Sequence, residues 1–481
     1  MHTDSTLPDL HDPTPADLLD PTRSDLHHSL ARVSELALAF AKLDETAPVR
    51  TPVNPAVAAA DLELALPDNG RPIDAVLDHV SRVLAATPAT AGPRFFNQLF
   101  GGRDAAATAT DMLASLANNS MYTYKVAGPM VLIENLLIEK MGALAGFDSP
   151  EGIITPGGSL SNLAALICAR DAAVPGSREA GIDGRRMRIY SSAEAHYSIR
   201  KSVGMLGMGR QNLVKVACDS EGRMRPDALD AAITADLAAG LRPTMISATS
   251  GTTVRAAFDP IDALADVAEK HGVWLHVDGA FGASVLLSEA HRSLMAGIER
   301  ADSLTWDAHK MMGVPLTCSL FVARERGRVT ASLNETAEYL YQGDSEALNP
   351  GTRSLQCGRR NDVLKLWAGW QYHGLSGYSA RIERLFTLAQ ALTARVVAAP
   401  DMTLVGETAS VNVCFVLDGH DADAICAELA ARGQMLVGHA NVLGRTVFRV
   451  PFVHPNFEES DLDVLLDAIR EVGAALKMAE A

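Results

Sequence analysis

Four short blocks hold residue types that could do chemistry together. WDAHKMMG, residues 306–313, places Lys310 beside His309 after an apolar-aromatic run. A lysine with apolar neighbours can release its proton more readily, and its neutral amine then attacks a carbonyl. On this octapeptide alone, a solvated lysine is the commoner outcome. HVDGAFG, residues 276–282, ends an apolar run on Asp278. A carboxylate at the carboxyl end of a sheet strand faces the crevice where α/β folds bind ligands; a cap on the next turn would also explain it. TPGGSLSN, residues 155–162, runs two glycines into a helix with Ser159 and Ser161. Free N–H groups and the helix dipole at such a start suit a dianionic phosphate. SSAEAHYSIRKS, residues 191–202, offers His196 just after a predicted strand, where its ring could stack on a planar group.

A lysine, an aspartate and a phosphate cradle are the set that pyridoxal 5'-phosphate (PLP) needs. The lysine holds the cofactor as a Schiff base, the aspartate keeps the pyridine nitrogen protonated so that the ring draws electrons, and the cradle anchors the phosphate. Each signal is weak alone. Their order, with 32 residues from Asp278 to Lys310, fits one intervening crossover.

The elements that must position these residues show an alternating pattern. Residues 1 to about 25 are rich in Asp, Pro, Thr and His and read as a loosely ordered arm. Leu26–Lys42 has helical spacing, a Pro-rich link APVRTPVNPAV follows, and Ile73–Leu84 is helical again. Beyond about Asp111 come helices at Val131–Leu144, Leu160–Ala172, Arg225–Ala239 and Asp259–His271. Short apolar strands fall at Arg188–Tyr190, Leu213–Val216, Thr244–Ala248, Trp274–Val277 and Ser319–Val322. Such alternation implies an α/β sheet with helices on both faces. After Gly374 a long helix leads to strands at Val411–Leu417 and Thr446–Val450, with helical stretches at 421–432 and 459–477. The expected division is 1–110 as arm and helical segment, 111–373 as a large domain, and 374–481 as a small C-terminal α/β domain.

Composition narrows the class of function. The 481 residues are 48% hydrophobic and carry a net charge of −16, an ordinary globular balance with an acidic surface that disfavours nucleic acid. The six cysteines are scattered without a CxxC pair, which suggests neither a disulfide framework nor a metal site. No secretory signal is evident, and no apolar run reaches the ~18 residues of a membrane span. A cytoplasmic enzyme acting on a small molecule is the expectation.

The sequence resembles the group II PLP-dependent decarboxylases, which act on glutamate, cysteine sulfinate, aspartate and aromatic amino acids. The resemblance rests on PRFFNQLFGG (93–102), ITPGGSLSN (154–162), AHYSIRKS (195–202), ATSGTTVRAAFDPI (248–261), WLHVDGAFG (274–282), GIERADSLTWDAHKMMG (297–313) and LQCGRRNDVLKLW (355–367). It implies the fold type I, aspartate-aminotransferase-like architecture, and a homodimer with active sites at the subunit interface. Lys310 matches the Schiff-base lysine, Asp278 the partner of the pyridine nitrogen, and His196 the ring-stacking histidine. Thr249 falls where the family has a small residue beside the ring, while Gly158, Ser159 and His309 match phosphate contacts. Arg449 matches the arginine for the substrate α-carboxylate, a role that suits a bidentate fork. Asn97 and Gln98 resemble the acidic-substrate branch. Phe100, Ser120 and Tyr122 resemble the cysteine sulfinate and aspartate members, a bulky Phe100 shortening the pocket against glutamate.

Two departures stand out. Asp307 and Ala308 replace the family's Asn-Pro before His-Lys, and a carboxylate there repels a phosphate unless it points away or finds a donor. The family's loop tyrosine, thought to return a proton to the substrate carbon, has no evident match; Leu348 or Asn349 falls there, and Tyr339 and Tyr341 belong to an earlier block. Three readings follow: an α-decarboxylase, a PLP enzyme of altered outcome (oxidative decarboxylation to an aldehyde, transaminase-like or lyase chemistry), or a non-catalytic member. The retained Lys310, Asp278, His196 and Arg449 argue against the last.

Overall fold

Seven strands form the sheet that carries most of the blocks above, in a computed structural model that describes residues 21–46, 49, 54–182, 186–335 and 348–480. They are β1 (Glu151–Thr155), β2 (Met187–Ser192), β3 (Leu213–Val216), β4 (Arg242–Thr249), β5 (Trp274–Asp278), β6 (Ser303–Asp307) and β7 (Ser319–Ala323). The spatial order is β1-β7-β6-β5-β4-β2-β3. Neighbours run parallel except β7, which is antiparallel to both β6 and β1. The mixed sheet is the expected fold type I arrangement. Its central strands are buried on both faces, with Met245, Ile246, Val277, Leu304 and Trp306 fully excluded from solvent. Each such aliphatic side chain contributes roughly 1.5–3 kcal/mol of burial.

Register sets the site. Thr249 pairs with Asp278, Asp278 with Thr305, and Asp307 with Ser319. The carboxyl ends of β4, β5 and β6 therefore lie side by side, at the edge where open α/β sheets bind ligands.

The helices used below are α1 (Pro21–Thr46), α2 (Pro55–Asp61), α3 (Ile73–Ala86), α4 (Ala105–Ala117), α5 (Pro129–Leu144), α6 (Gly158–Ala173), α7 (Tyr197–Met205), α8 (Pro226–Ala238), α9 (Ile261–His271) and α10 (Val363–Ala398). In α9, Ile261, Leu264, Ala265 and Ala268 recur at helical spacing and are all buried; Gly272 at φ 64 ends the helix. Helix α10 is broken at Gly374 (φ 61, ψ −175). Beyond it, β8 (Met402–Leu404), β9 (Asn412–Leu417), β10 (Leu436–Val442) and β11 (Arg445–Pro451) pair antiparallel in the order β8-β9-β11-β10.

Contacts divide the chain into two compact units, one of residues up to Phe95 with Glu428–Leu436, the other of Phe96–Ala427 with Val437 onward. Within the first, α1 and α3 are joined by His28 Nε2 to Asp74 Oδ1 at 2.7 Å and by Arg32 to Asp78 at 3.1 Å. The expected arm lies outside the described residues up to 20, and residues 21–25 are already helical. The Pro-rich link also lies largely outside them, but its end folds into α2 because Pro55 occupies the first helical turn, where a missing N–H costs nothing.

Strands β1 and β6 escaped the sequence reading. Both mix polar with apolar residues, and polarity in a buried strand reads as loop. In the fold those polar groups are paired: Glu151 accepts from the N–H groups of Val329 and Thr330, and Ser303 and Thr305 bond to His276 and Asn162. Among the described residues, no helix is long and apolar enough to cross a membrane.

Candidate active site

A cavity of about 360 Å³ opens at the carboxyl edge of the large sheet. Lining it are Gly158 and Ser159 after β1, His196 after β2, Thr249 at the end of β4, Asp278 at the end of β5, and Asp307, His309 and Lys310 at and after β6. Every residue expected to hold the cofactor thus faces one space. A larger cavity of about 590 Å³, with Asn135, Glu139, Arg326 and Arg353 in its wall, contains none of them.

Lys310 is held by its neighbour on the preceding strand. Its Nζ lies 3.2 Å from Asp307 Oδ2, while the Ser319 hydroxyl donates to Asp307 Oδ1. His309 Nε2 lies 3.5 Å from the same carboxylate, and burial pushes its imidazole below the usual range against the pull of Asp307. The departure noted at position 307 is therefore a carboxylate that has found its donors. Gly158 explains how it fits: a Cβ there would meet Asp307 Oδ2 at 2.9 Å and Ala280 Cβ at 3.1 Å. The preceding Gly157 sits at φ 129, a conformation that other residues rarely adopt, and no side chain caps α6. Its first turn is left to the cavity.

Asp278 is anchored at both oxygens. Oδ1 accepts from Ala280 N at 3.2 Å and Oδ2 from Asn162 Nδ2 at 2.7 Å. His196 caps α7 by accepting from Ser198 N, and its Nδ1 lies 2.9 Å from Ser198 Oγ. Burial lowers its pKa, with Asp278 working in the other direction. Thr249 is buried, and its hydroxyl has no partner among the described residues.

Arg449, on β11, is 8% exposed and donates from Nη1 to the Asn97 carbonyl at 2.7 Å. Among the described residues, its Nε and Nη2 have no partner, and both are buried. Burial lowers this guanidinium to about 10. A cation so placed has two donors to offer an anion.

The remaining substrate candidates divide. Gln98 and Phe100 line the cavity with Arg449. Asn97, Ser120 and Tyr122 do not line it in the single chain. Asn97 is spent on the small sheet, its Nδ2 donating to the Val437 carbonyl at 3.2 Å and its own carbonyl holding Arg449, so it orients the arginine. Ser120 Oγ accepts from Arg359 N at 3.1 Å, and the Tyr122 carbonyl accepts from Gly351 N at 2.9 Å. Neither Leu348 nor Asn349 is in the cavity wall; Tyr339 and Tyr341 lie outside the described residues. Sequence reasoning gave no role to Asn162, which touches Asp278 directly. Its only local signal was a polar residue on the inward face of a helix that is otherwise apolar there.

These groups fit PLP. The cavity offers a lysine for the aldehyde, a doubly anchored carboxylate for the ring nitrogen, an uncapped helix start for the phosphate and an unpaired guanidinium for a carboxylate. A carbonyl cofactor with an anionic tail is what such a cavity accommodates, and this sets the protein among pyridoxal enzymes. Residues 55–418 match the pyridoxal-dependent decarboxylase conserved domain, and the chain belongs to that family. It is 37% identical over 438 residues to the cysteine sulfinic acid decarboxylase of Rattus norvegicus, covering 86% of this chain and 89% of the relative. It is 35% identical over 435 residues to the acidic amino acid decarboxylase GADL1 of Mus musculus, covering 86% and 79%. The crystal structure of mouse CSAD superposes with a TM-score of 0.89 at 34% identity, over 93% of this chain and 98% of that one.

Proposed function

We propose that this decarboxylase removes the α-carboxylate of a small acidic L-amino acid, cysteine sulfinate or aspartate ahead of glutamate, releasing CO₂ and the amine. The observation that carries the proposal is Arg449, a buried guanidinium with Nε and Nη2 unpaired in the same cavity as Lys310. When bound, PLP supplies a carbonyl for the substrate amine and a ring that accepts the electron pair left as the Cα–carboxylate bond breaks. The chain's own residues do the rest. Lys310 presents its amine from the turn after β6. Asp278 presents a fixed carboxylate to the ring nitrogen, and His196 presents an imidazole face. Arg449 clamps the substrate carboxylate through two parallel donors. Phe100 takes up length in the wall, which favours one methylene between Cα and the distal acid. The names of the similar proteins, cysteine sulfinic acid decarboxylase and acidic amino acid decarboxylase, support the same substrate class. A homodimer in the cytoplasm, with Ser120 and Tyr122 serving the site of a second copy, belongs to the same proposal.

The test is kcat/KM for cysteine sulfinate, aspartate and glutamate measured side by side with the purified holoenzyme. The expected order places glutamate last; a clear preference for glutamate refutes the short-pocket argument. The missing match for the loop tyrosine keeps a second reading in view, in which the product is an aldehyde. Measuring CO₂, amine, aldehyde and peroxide in one reaction separates the two, with amine equal to CO₂ expected.

A further inference from the structure

Asn162 lies at the start of the second turn of α6, 1% exposed, with all its hydrogen-bonding capacity in use. Nδ2 donates to Asp278 Oδ2 at 2.7 Å and to Ser198 Oγ at 2.9 Å. Oδ1 accepts from Thr305 Oγ1 at 2.9 Å and meets His276 Nε2 at 3.0 Å. An ionised carboxylate only accepts, so the amide has one orientation, nitrogen towards Asp278. That choice propagates. His276 must donate from Nε2, which leaves Nδ1 to accept from Ser303 Oγ at 2.9 Å, and Ser303 Oγ in turn accepts from Trp274 Nε1 at 3.0 Å. On the other branch, Ser198 Oγ accepts from Asn162 and donates to His196 Nδ1 at 2.9 Å. Every donor from Trp274 through Ser303, His276 and Asn162 points the same way, and at Asn162 the chain forks to Asp278 and His196. Burial lowers His276 to about 4, so its ring is neutral and can act as donor on one side and acceptor on the other. Hydrogen bonds aligned in this way polarise one another inside a low-dielectric core.

We propose that Asn162 is a positioning residue for the decarboxylation: it locks the Asp278 carboxylate and the His196 imidazole into the mutual orientation in which one meets the cofactor's ring nitrogen and the other lies on the ring face, backed by the one-way chain from Trp274. The inference rests on the reading of Asp278 and His196 as cofactor contacts. An amide that merely filled space in α6 would bond to nearby backbone. Here both of its N–H bonds go to side chains, one to a residue lining the cavity and the other through Ser198 to a second.

The experiment uses holoenzyme reconstituted with PLP isotopically labelled at the ring nitrogen and reads that nitrogen's NMR shift, which reports its protonation, alongside the visible absorption spectrum. Wild type is expected to show a protonated ring, and Asp278→Asn an unprotonated one. Asn162→Leu and His276→Leu are expected to shift the resonance towards the unprotonated position, with kcat lower on the order of tenfold and KM unchanged. His276→Gln, which keeps an N–H facing Asn162, is expected to stay near wild type. An unchanged resonance in Asn162→Leu, beside a changed one in Asp278→Asn, overturns the role of Asn162. An unchanged resonance in Asp278→Asn itself overturns the reading of Asp278, and the inference falls with it. If Asn162→Leu does not fold, Thr305→Val carries the same test, since it removes one of the two donors that fix the amide; an unchanged resonance there overturns the proposal equally.

Discussion

At the scale of single residues, Arg449 and Lys310 are both cations in one cavity, but the fold treats them differently. Lys310 has a carboxylate 3.2 Å away, whereas among the described residues Arg449 meets a backbone carbonyl and its Nε and Nη2 have no partner. A buried guanidinium without a counter-ion costs stability, and a chain keeps it where an anionic ligand supplies the missing partner. The Arg449→Met variant is therefore expected to unfold at the same temperature as wild type or higher in the absence of substrate. Its kcat/KM is expected to fall on the order of a thousandfold, about 4 kcal/mol of lost charge-assisted bonding. Thermal melts and initial rates on one preparation check both halves; a large loss of stability would make Arg449 a structural residue. Asp307 is the complementary case. The sequence flagged it as a departure with a possible cost, and the structure shows that cost met by Ser319 and Lys310.

At the scale of elements, the LQCGRRNDVLKLW block, which carried much of the resemblance, braces the site from behind. Arg359 makes a two-pronged contact with Glu134 of α5, Nη1 to Oε1 at 2.6 Å and Nη2 to Oε2 at 2.8 Å. It also donates to the carbonyls of Ile154 in β1 and Met121. Both side chains of the pair are almost wholly buried, and Glu134 itself accepts from Ile154 N at 2.9 Å. The pair thus ties α5 to the strand that leads into the glycine-led helix start. Nearby, Lys365 of α10 is fully buried 2.9 Å from Asp362. Breaking a buried pair from one side leaves an uncompensated charge. Arg359→Met is expected to cost about 3–5 kcal/mol in urea unfolding, and the double variant with Glu134→Leu to recover most of it. A single variant of wild-type stability would contradict the bracing role.

At the scale of the whole molecule, the interior holds imidazoles that burial keeps neutral. His276 is lowered to about 4 and His454 to about 3, from an ordinary 6.5. A base whose folded value is depressed binds fewer protons folded than unfolded, so its contribution is intact above pH ~6.5 and is lost as the pH falls towards the folded value. His276 alone then removes about 3 kcal/mol of stability between pH ~6.5 and ~4. Asp259 works in the opposite direction: burial raises it against two backbone N–H groups at 2.6 and 2.7 Å that lower it, and the balance stands at about 7. Melting temperature followed across this range is expected to drop on the acid side, and His276→Gln to flatten the drop. An acid limb identical in the two proteins would remove His276 from the account.

The sequence by itself determined what local spacing encodes. The apolar runs ending on Thr249 and Asp278 and the glycines that open α6 lie in contiguous residues, and their pattern names both the element and the edge where its chemistry sits. The unread strands β1 and β6 mark the limit, because their polar residues become strand-like only once distant partners satisfy them. What the tertiary structure alone decided is who meets whom. Asn162 reaches Asp278 across 116 positions, and Arg449 reaches Asn97 across 352. Asn97, which the resemblance put beside substrate, bonds instead to Val437 and Arg449, and Ser120 Oγ accepts from Arg359 N. A hydrogen bond depends on angle and on a separation of about 3 Å, and no periodicity in the chain carries that information for residues so far apart.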